Sequence, residues 1–387
     1  MEFISRFLKK HNGSFFLFGP RGTGKSLWTQ HCFENAIRID FLQPDVVRAY
    51  SGYPERLREL VEGNRQIKTF VLDEVQKLPE ILDIVHALIE KYKDIQFVLT
   101  GSSARKIKRT GVNLLAGRAV VYNLFPFMAA ELGSLFSFDK ALRYGLLPLV
   151  WAAENSVDVL NAYFGLYLKE EVQMEALVRN IGNFSRFLEA ISFSHGSVLN
   201  VSNVARECEI GRKTVEGYVD ILEDLLLGFR MQVFKKKAKR ALVEHPKFYF
   251  FDTGVFRSIR PKGPLDRVEE VEGLALEGLV AQHLRAWIAY RRKDNALYYW
   301  RTRSGVEVDF VVYGEDGLWA LEVKNVLKIY SANLRALKSF KEDYPESNVI
   351  FLYKGKERLK KEGILCVPCE DFLLQLHPGR NLFSSPG

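Results

Sequence analysis

The 387-residue chain is expected to be an α/β protein: a parallel-sheet domain, then a helical module, then a second α/β unit. Three observations predict this. Gly19-Pro20-Arg21-Gly22-Thr23-Gly24-Lys25-Ser26 fits the phosphate-binding loop pattern at every fixed position, between an apolar run and a helical pattern. Short continuous apolar runs then alternate with helical patterning, as expected of parallel strands covered on both faces. Further on the text turns strand-rich, and an acid-x-lysine pair falls on one of those strands.

In chain order, Ser14 to Phe18 reads as a buried strand and Leu27 to Phe33 as the helix after the loop. The glycines let the backbone curl so that N–H groups point at a phosphate, and the helix start adds its positive dipole end. Lys25 is expected to meet the β- and γ-phosphates and Ser26 to hold Mg²⁺. Ala36 to Asp40 is a second strand, and Pro54 to Glu62 a helix with Leu57, Leu60 and Val61 on one face. Thr69 to Leu72 is a strand that ends in Asp73-Glu74. Asp73 is expected to bind Mg²⁺, and Glu74 to polarise the attacking water. A helix over Pro79 to Lys93 follows, then a strand from Gln96 to Thr100 that ends in Gly101-Ser102-Ser103, then a strand over Ala119 to Tyr122. The Thr100 and Ser102 hydroxyls either reach the γ-phosphate or its water, or belong to an ordinary turn.

Taken together, Pro20-Arg21-Gly22-Thr23-Gly24-Lys25-Ser26, Leu72-Asp73-Glu74-Val75-Gln76, Thr100-Gly101-Ser102-Ser103, Leu115-Ala116-Gly117-Arg118 and Leu124-Phe125-Pro126-Phe127 resemble, in that order, a prokaryotic group of AAA+ ATPases. The resemblance implies a P-loop AAA+ domain over residues 1–135, ATP hydrolysis and a core of parallel strands. Arg118 is the first candidate for an arginine that stabilises charge on the transferring phosphoryl group, with Arg105 second. Either acts within one chain or across the interface of a homo-oligomer.

Residues 136–250 are expected to form a helical module, with helical patterning over residues 140–180, where Val159, Tyr163, Leu166 and Tyr167 form a core-facing stripe and Lys169-Glu170-Glu171 a solvated helix face. Val201 to Glu207, with Ser202 as its N-cap, the turn Ile210-Gly211 and Arg212 to Leu222 form a helix-turn-helix that looks like a winged-helix module. Arg212, Lys213 and the basic run from Lys235 to Arg240 suit nucleic-acid phosphates, whereas Glu216, Asp220, Glu223 and Asp224 on the same helix oppose them. DNA contact and a purely structural module both remain open.

Residues 251–387 begin after a strand over Lys247 to Phe251, with a turn at Asp252-Thr253-Gly254. Leu274 to Arg291 reads as a long helix with Glu277 near its start. Gly305 to Val312 and Leu318 to Lys324 read as a hairpin turning at Glu315-Asp316-Gly317, followed by a helix near Ser331 to Glu342 and a strand over Asn348 to Leu352. Glu322 and Lys324, two apart on a strand, leave the same face, and Asp309 on the partner strand can reach it. Two carboxylates with a lysine suit Mg²⁺ or Mn²⁺ that activates water against a phosphate, and Glu277 can complete the set. This arrangement resembles the PD-(D/E)xK nuclease core, with Val308 rather than proline before Asp309. The whole chain resembles prokaryotic ATP-binding proteins with a nuclease-related C-terminal domain of unassigned function. The resemblance implies DNA or RNA as a partner; phosphodiester cleavage and a fold that binds without cutting both stay open.

A hydrophobic share of 47% allows a large core, and a net charge of +8 favours an anionic partner. Cys32, Cys208, Cys366 and Cys369 are too scattered for a disulfide framework, and Cys366-Val-Pro-Cys369 reads as a strand end and turn or half a zinc site. No signal peptide or membrane-length apolar run is present, so the expected location is cytoplasmic, with no membrane partner.

Overall fold

A computed structural model describes residues 3–102, 119–167, 180–236, 238, 240–263 and 267–383. Arg105, the stretch Leu115-Ala116-Gly117-Arg118 and Lys169-Glu170-Glu171 lie outside these residues. The chain divides into two compact units, residues 1–125 with 224–226, and residues 126–223 with 227–387.

The first unit is a parallel sheet of β1 (Phe15–Phe18), β2 (Ile37–Asp40), β3 (Thr69–Asp73), β4 (Gln96–Gly101) and β5 (Val120–Asn123), in the order β2-β3-β4-β1-β5. The helices α1 (Lys25–Cys32), α2 (Pro44–Gly52), α3 (Arg56–Gly63) and α4 (Ile81–Lys91) connect the strands. β1, β3 and β4 are apolar along nearly their whole length because both faces are covered: Phe16, Phe70, Leu72, Phe97 and Leu99 are fully buried. α3 and α4 present Leu57, Val61, Ile81, Leu82, Val85 and Leu88 to that core. β4 separates β1 from β3, so the chain leaves the sheet in different directions at their carboxyl ends. That is where open parallel sheets receive ligands. α2 is absent from the sequence expectation, because its apolar stripe is thin and its N-cap Gln43 makes no side-chain cap.

The second unit begins with the short helices α5 (Ala129–Leu132), α6 (Phe138–Tyr144), α7 (Pro148–Trp151) and α8 (Ser156–Ala162). Then come α9 (Ile181–Ser192), β6 (Ser197–Val198), α10 (Val201–Cys208), α11 (Arg212–Asp224), β7 (Gly228–Met231) and β8 (Lys247–Phe250), with β8 central in a three-stranded sheet. α10 is capped by Asn200, whose side chain accepts from Asn203 N at 3.1 Å, and not by Ser202, which lies inside the helix. Asp220 and Glu223 of α11 are engaged by Arg230 of β7, at 2.7 and 2.5 Å. Of the basic run, Arg240 is tied to Glu342 and Asp343 at 3.0 and 2.9 Å.

Asp252 opens a helix rather than a turn. α12 (Thr253–Ile259) starts there because the buried Asp252 carboxylate accepts from Gly254 N and Val255 N, at 2.9 and 3.1 Å. It also accepts from Leu146 N at 2.7 Å. Gly254 is obligatory, since a Cβ there would lie 2.0 Å from the Tyr144 carbonyl oxygen.

α13 (Val268–Arg291) starts earlier than its apolar text suggests, which places Glu277 well inside the helix. The sheet beside it has the order β13-β14-β12-β11-β10-β9. It comprises β9 (Asn295–Arg301), β10 (Glu307–Gly314), β11 (Gly317–Lys324), β12 (Asn348–Tyr353), β13 (Leu359–Lys361) and β14 (Ile364–Pro368), with α14 (Arg335–Asp343) and α15 (Cys369–Gln375). β9, β10 and β11 run antiparallel, and β12 joins β11 in parallel. Cys366 and Cys369 are buried free thiols on β14 and at the start of α15, as a strand end followed by a turn into a helix requires. No helix among the described residues is long and apolar enough to cross a membrane.

Candidate functional site

At the carboxyl end of β1 the backbone cannot carry side chains freely. A Cβ on Gly19 would lie 2.5 Å from the Leu124 carbonyl oxygen, and Gly22 and Gly24 have φ of +83° and +88°. The loop closes on itself through Thr23 Oγ1, which donates to Pro20 O at 2.8 Å. Arg6 braces it from outside, donating to Thr23 O at 3.1 Å and to Phe125 O at 2.6 Å. Arg21 is exposed, whereas Lys25 is buried and its Nζ donates to Gly19 O at 2.7 Å and to Pro20 O at 3.4 Å. The ammonium therefore lies against the carbonyls of the loop itself.

A chain of hydroxyls and a carboxylate crosses the sheet end. Ser26 Oγ donates to Asp73 Oδ2 at 2.7 Å, and Thr100 Oγ1 donates to Asp73 Oδ1. Thr100 Oγ1 in turn accepts from Glu74 N at 3.2 Å. The parallel register sets Leu72 beside Leu99 and Leu17 beside Thr100, which brings the three strand ends level. Glu74 has φ of +58° and its side chain is half-buried. Its carboxylate accepts from Gln76 Nε2, which also donates to Ser102 Oγ at 3.1 Å. Gly101 makes room for that amide, since a Cβ would lie 2.5 Å from Gln76 Oε1. Sequence reasoning placed Gln76 in a motif without a role, and its proximity to an acid two residues earlier was the available signal. Arg38 was missed altogether; its guanidinium donates to Thr29 O and Phe33 O at 2.7 and 2.9 Å. Burial lowers its pKa, and the nearby Asp73 opposes that.

The second group lies in the other unit. β10 bulges against β9 between Val308 and Val311, and Asp309 sits on the bulge. Phe310 pairs with Leu321, so the next position brings Asp309 level with Glu322. Both are almost fully buried, at 3% exposure. Lys324 Nζ lies 2.5 Å from Glu322 Oε1 and 3.6 Å from Asp309 Oδ2, and Val323 N donates to Asp309 Oδ2 at 2.8 Å. Burial and the neighbouring Asp309 push Glu322 up to about 8. Glu277 reaches the group from α13, but its Oε1 is engaged by Lys247 Nζ at 3.0 Å and by the Tyr249 hydroxyl at 2.5 Å. Lys247 Nζ also lies 2.5 Å from Glu307 Oε1 and 3.7 Å from Asp309 Oδ1. Burial works to lower the Lys247 pKa, and Glu277, Tyr249, Asp309 and Glu307 together override it, so the amine stays charged. Lys247 and Glu307 lie in stretches that carry the resemblance of the whole chain, but sequence reasoning assigned neither a role. Among the described residues, no group of three or more His, Cys, Asp or Glu side chains is arranged to hold a metal ion.

Comparison with known proteins matches the chain in three consecutive segments. A family model described as an AAA domain matches residues 11–133. That match covers the phosphate-binding loop and the five-stranded parallel sheet. Domains of unknown function match the rest, DUF8612 over residues 135–266 and DUF4143 over residues 272–372. An uncharacterized protein of Mycobacterium tuberculosis is 23% identical over 365 residues, which span 92% of this chain and 80% of that protein. One from Haemophilus influenzae is 20% identical over 362 residues, spanning 88% and 87%. Among solved structures, AMPPCP-bound DnaA from Aquifex aeolicus aligns with 13% identity and a TM-score of 0.29, over 55% of this chain and 82% of that one. DnaA bound to AMPPCP and single-stranded DNA aligns with a TM-score of 0.27 and 13% identity, over 56% and 83%.

Proposed function

We propose that the chain is an AAA+ protein that binds and hydrolyses ATP and thereby operates its C-terminal domain. One observation carries the first half: Ser26, Asp73 and Thr100 form a single hydrogen-bonded chain beside the glycine loop, with Glu74 next to it. In this reading the N–H groups from Gly19 to Gly24, with Pro20, Arg21 and Thr23 shaping the turn, cradle the phosphates. Lys25 turns from the carbonyls of Gly19 and Pro20 to the β- and γ-phosphate oxygens. A Ser hydroxyl and an Asp carboxylate in contact are hard oxygen donors of the kind Mg²⁺ takes, so Ser26 and Asp73 would hold it. When bound, Mg²⁺ offsets phosphate charge. Thr100 keeps Asp73 in place and steers the γ-phosphate or the water. Glu74 accepts the proton of the water as its oxygen attacks the γ-phosphorus, and the bond to the bridging oxygen breaks to release ADP. Arg118 is the residue assigned to stabilise charge on the transferring group.

For the C-terminal domain we favour binding of nucleic acid without cleavage, because Glu277 already serves Lys247 and Tyr249. The rival is a nuclease in which Asp309, Glu322 and Lys324 cut a phosphodiester. Glu74→Gln should keep ATP affinity and lose turnover by about 10²–10⁴-fold; unchanged hydrolysis removes Glu74 from its role. Incubation with single- and double-stranded DNA and RNA, ATP and Mg²⁺ or Mn²⁺ should give retained, uncut substrate. Cleavage by wild type that Lys324→Ala abolishes would establish the rival.

A further inference from the structure

We propose that Lys247 is the resident cation of the acidic group in the C-terminal domain, its ammonium serving in place of a divalent metal. The proposal rests on the reading of this domain as one that binds without cutting. The expected metal ligands Asp309, Glu322 and Glu277 do not fit Mg²⁺ or Mn²⁺ as the chain arranges them. The Glu277 oxygen Oε1 is shared by Lys247 and Tyr249, and Asp309 lies between Lys247, Lys324 and the Val323 N–H. Glu322 Oε1 is held by Lys324. Among the described residues, Glu322 Oε2 is the sole oxygen of these three carboxylates that is buried without a hydrogen-bond partner. Each of the three carboxylates already has an ammonium as a neighbour, and an ion that takes about six oxygens would have to displace it.

The backbone holds the ammonium in place. Lys247 begins the central strand of its sheet and pairs with Met231 on one side and Val198 on the other. Its side chain is 1% exposed, so it cannot swing to water as a surface lysine would. Tyr249, two residues along the strand, leaves the same face and fixes the same Glu277 oxygen. The charges also balance. Glu277, Glu307, Asp309 and Glu322 face Lys247 and Lys324, and Arg301 pairs with Glu307 at 3.0 Å. With Glu322 raised to about 8 and so largely protonated near neutral pH, Glu277, Glu307 and Asp309 balance Lys247, Lys324 and Arg301, and no charge is left for a divalent ion to neutralise. Removing the ammonium while keeping the carboxylates should therefore create a metal site.

The test is a Mn²⁺ titration of the nucleotide-free full chain, followed by electron paramagnetic resonance. Ser26→Ala is used as the background, so that the phosphate loop does not contribute. The parent should show no saturable Mn²⁺ that Glu322→Gln removes. Lys247→Met should gain about one Mn²⁺ per chain, lost again on adding Glu322→Gln or Asp309→Asn. A parent Mn²⁺ site that depends on Glu322 overturns the proposal, and so does a folded Lys247→Met that gains none. Should Lys247→Met fail to fold by circular dichroism, Lys247→Gln with Glu277→Gln removes an opposite pair, and the parent titration decides on its own. Cleavage of nucleic acid that persists in EDTA and is lost in Lys324→Ala would instead defeat the binding reading and leave Lys247 in its assigned place.

Discussion

Both units place carboxylates at strand positions, yet they surround them in opposite ways. Asp73 is half-exposed and meets two neutral hydroxyls, Ser26 and Thr100, while the nearby Lys25 spends its charge on backbone carbonyls. Asp309 and Glu322 are buried and meet ammonium groups directly. A hydroxyl can be exchanged for a phosphate oxygen or a cation at small cost, because little charge is uncovered. A buried ion pair cannot be opened that way, since its surviving partner keeps the desolvation penalty. The first arrangement is suited to receiving a charged ligand and the second to holding a fold together.

Identical chemical changes in the two places should therefore read out differently. Asp309→Asn should cost about 3–5 kcal/mol of stability in denaturant unfolding, because Lys247 and Lys324 lose a shared partner. A loss below 1 kcal/mol would erase the contrast. Asp73→Asn should leave unfolding within about 1 kcal/mol and lower ATP turnover by about 10²-fold or more. Gln76→Ala frees the Glu74 carboxylate and should change turnover by about tenfold with ATP affinity unaltered, a split seen by comparing kcat with nucleotide Kd.

Acid should separate the units as well. Burial lowers His195 to about 3 and His283 to about 4, whereas His11, His31 and His86 of the first unit are not buried. The folded pKa values of His195 and His283 lie below the unfolded one, so at these two sites the unfolded chain binds more protons between about pH 4 and 6.5. The histidine contribution to the second unit is thus full above about pH 6.5 and lost as pH drops through that window, while Glu322, raised to about 8, and Asp252, raised to about 6, act in the opposite sense. Hydrogen exchange at a series of pH values checks this by comparison of variants: relative to the parent, His283→Gln should lose less stability between about pH 6.5 and 4.

The sheet of the first unit was legible because β1, β3 and β4 are continuous apolar runs and because loop glycines are tied to fixed backbone angles. The Asp309, Glu322 and Lys324 grouping was legible for a similar reason, since a hairpin register follows from a short turn. Lys247 was not. It lies 30 residues from Glu277 and on a different sheet from Asp309, and nothing local distinguishes a buried lysine from a solvated one. The same limit hid Arg6 and Arg38, whose partners are backbone carbonyls without any sequence signature. Ser202 is the expected cap of the helix from Val201, but the extended backbone of Asn200, two residues earlier, places the cap there instead.

Glu74 follows β3 with φ of +58° and ψ of +48°. A side chain in that left-handed region costs roughly 1–2 kcal/mol. Glycine would relieve it, so Glu74→Gly should raise the melting temperature of the first unit while removing the proposed proton acceptor. The hardier protein would be the idle one: thermal ruggedness and turnover compete for a single backbone angle.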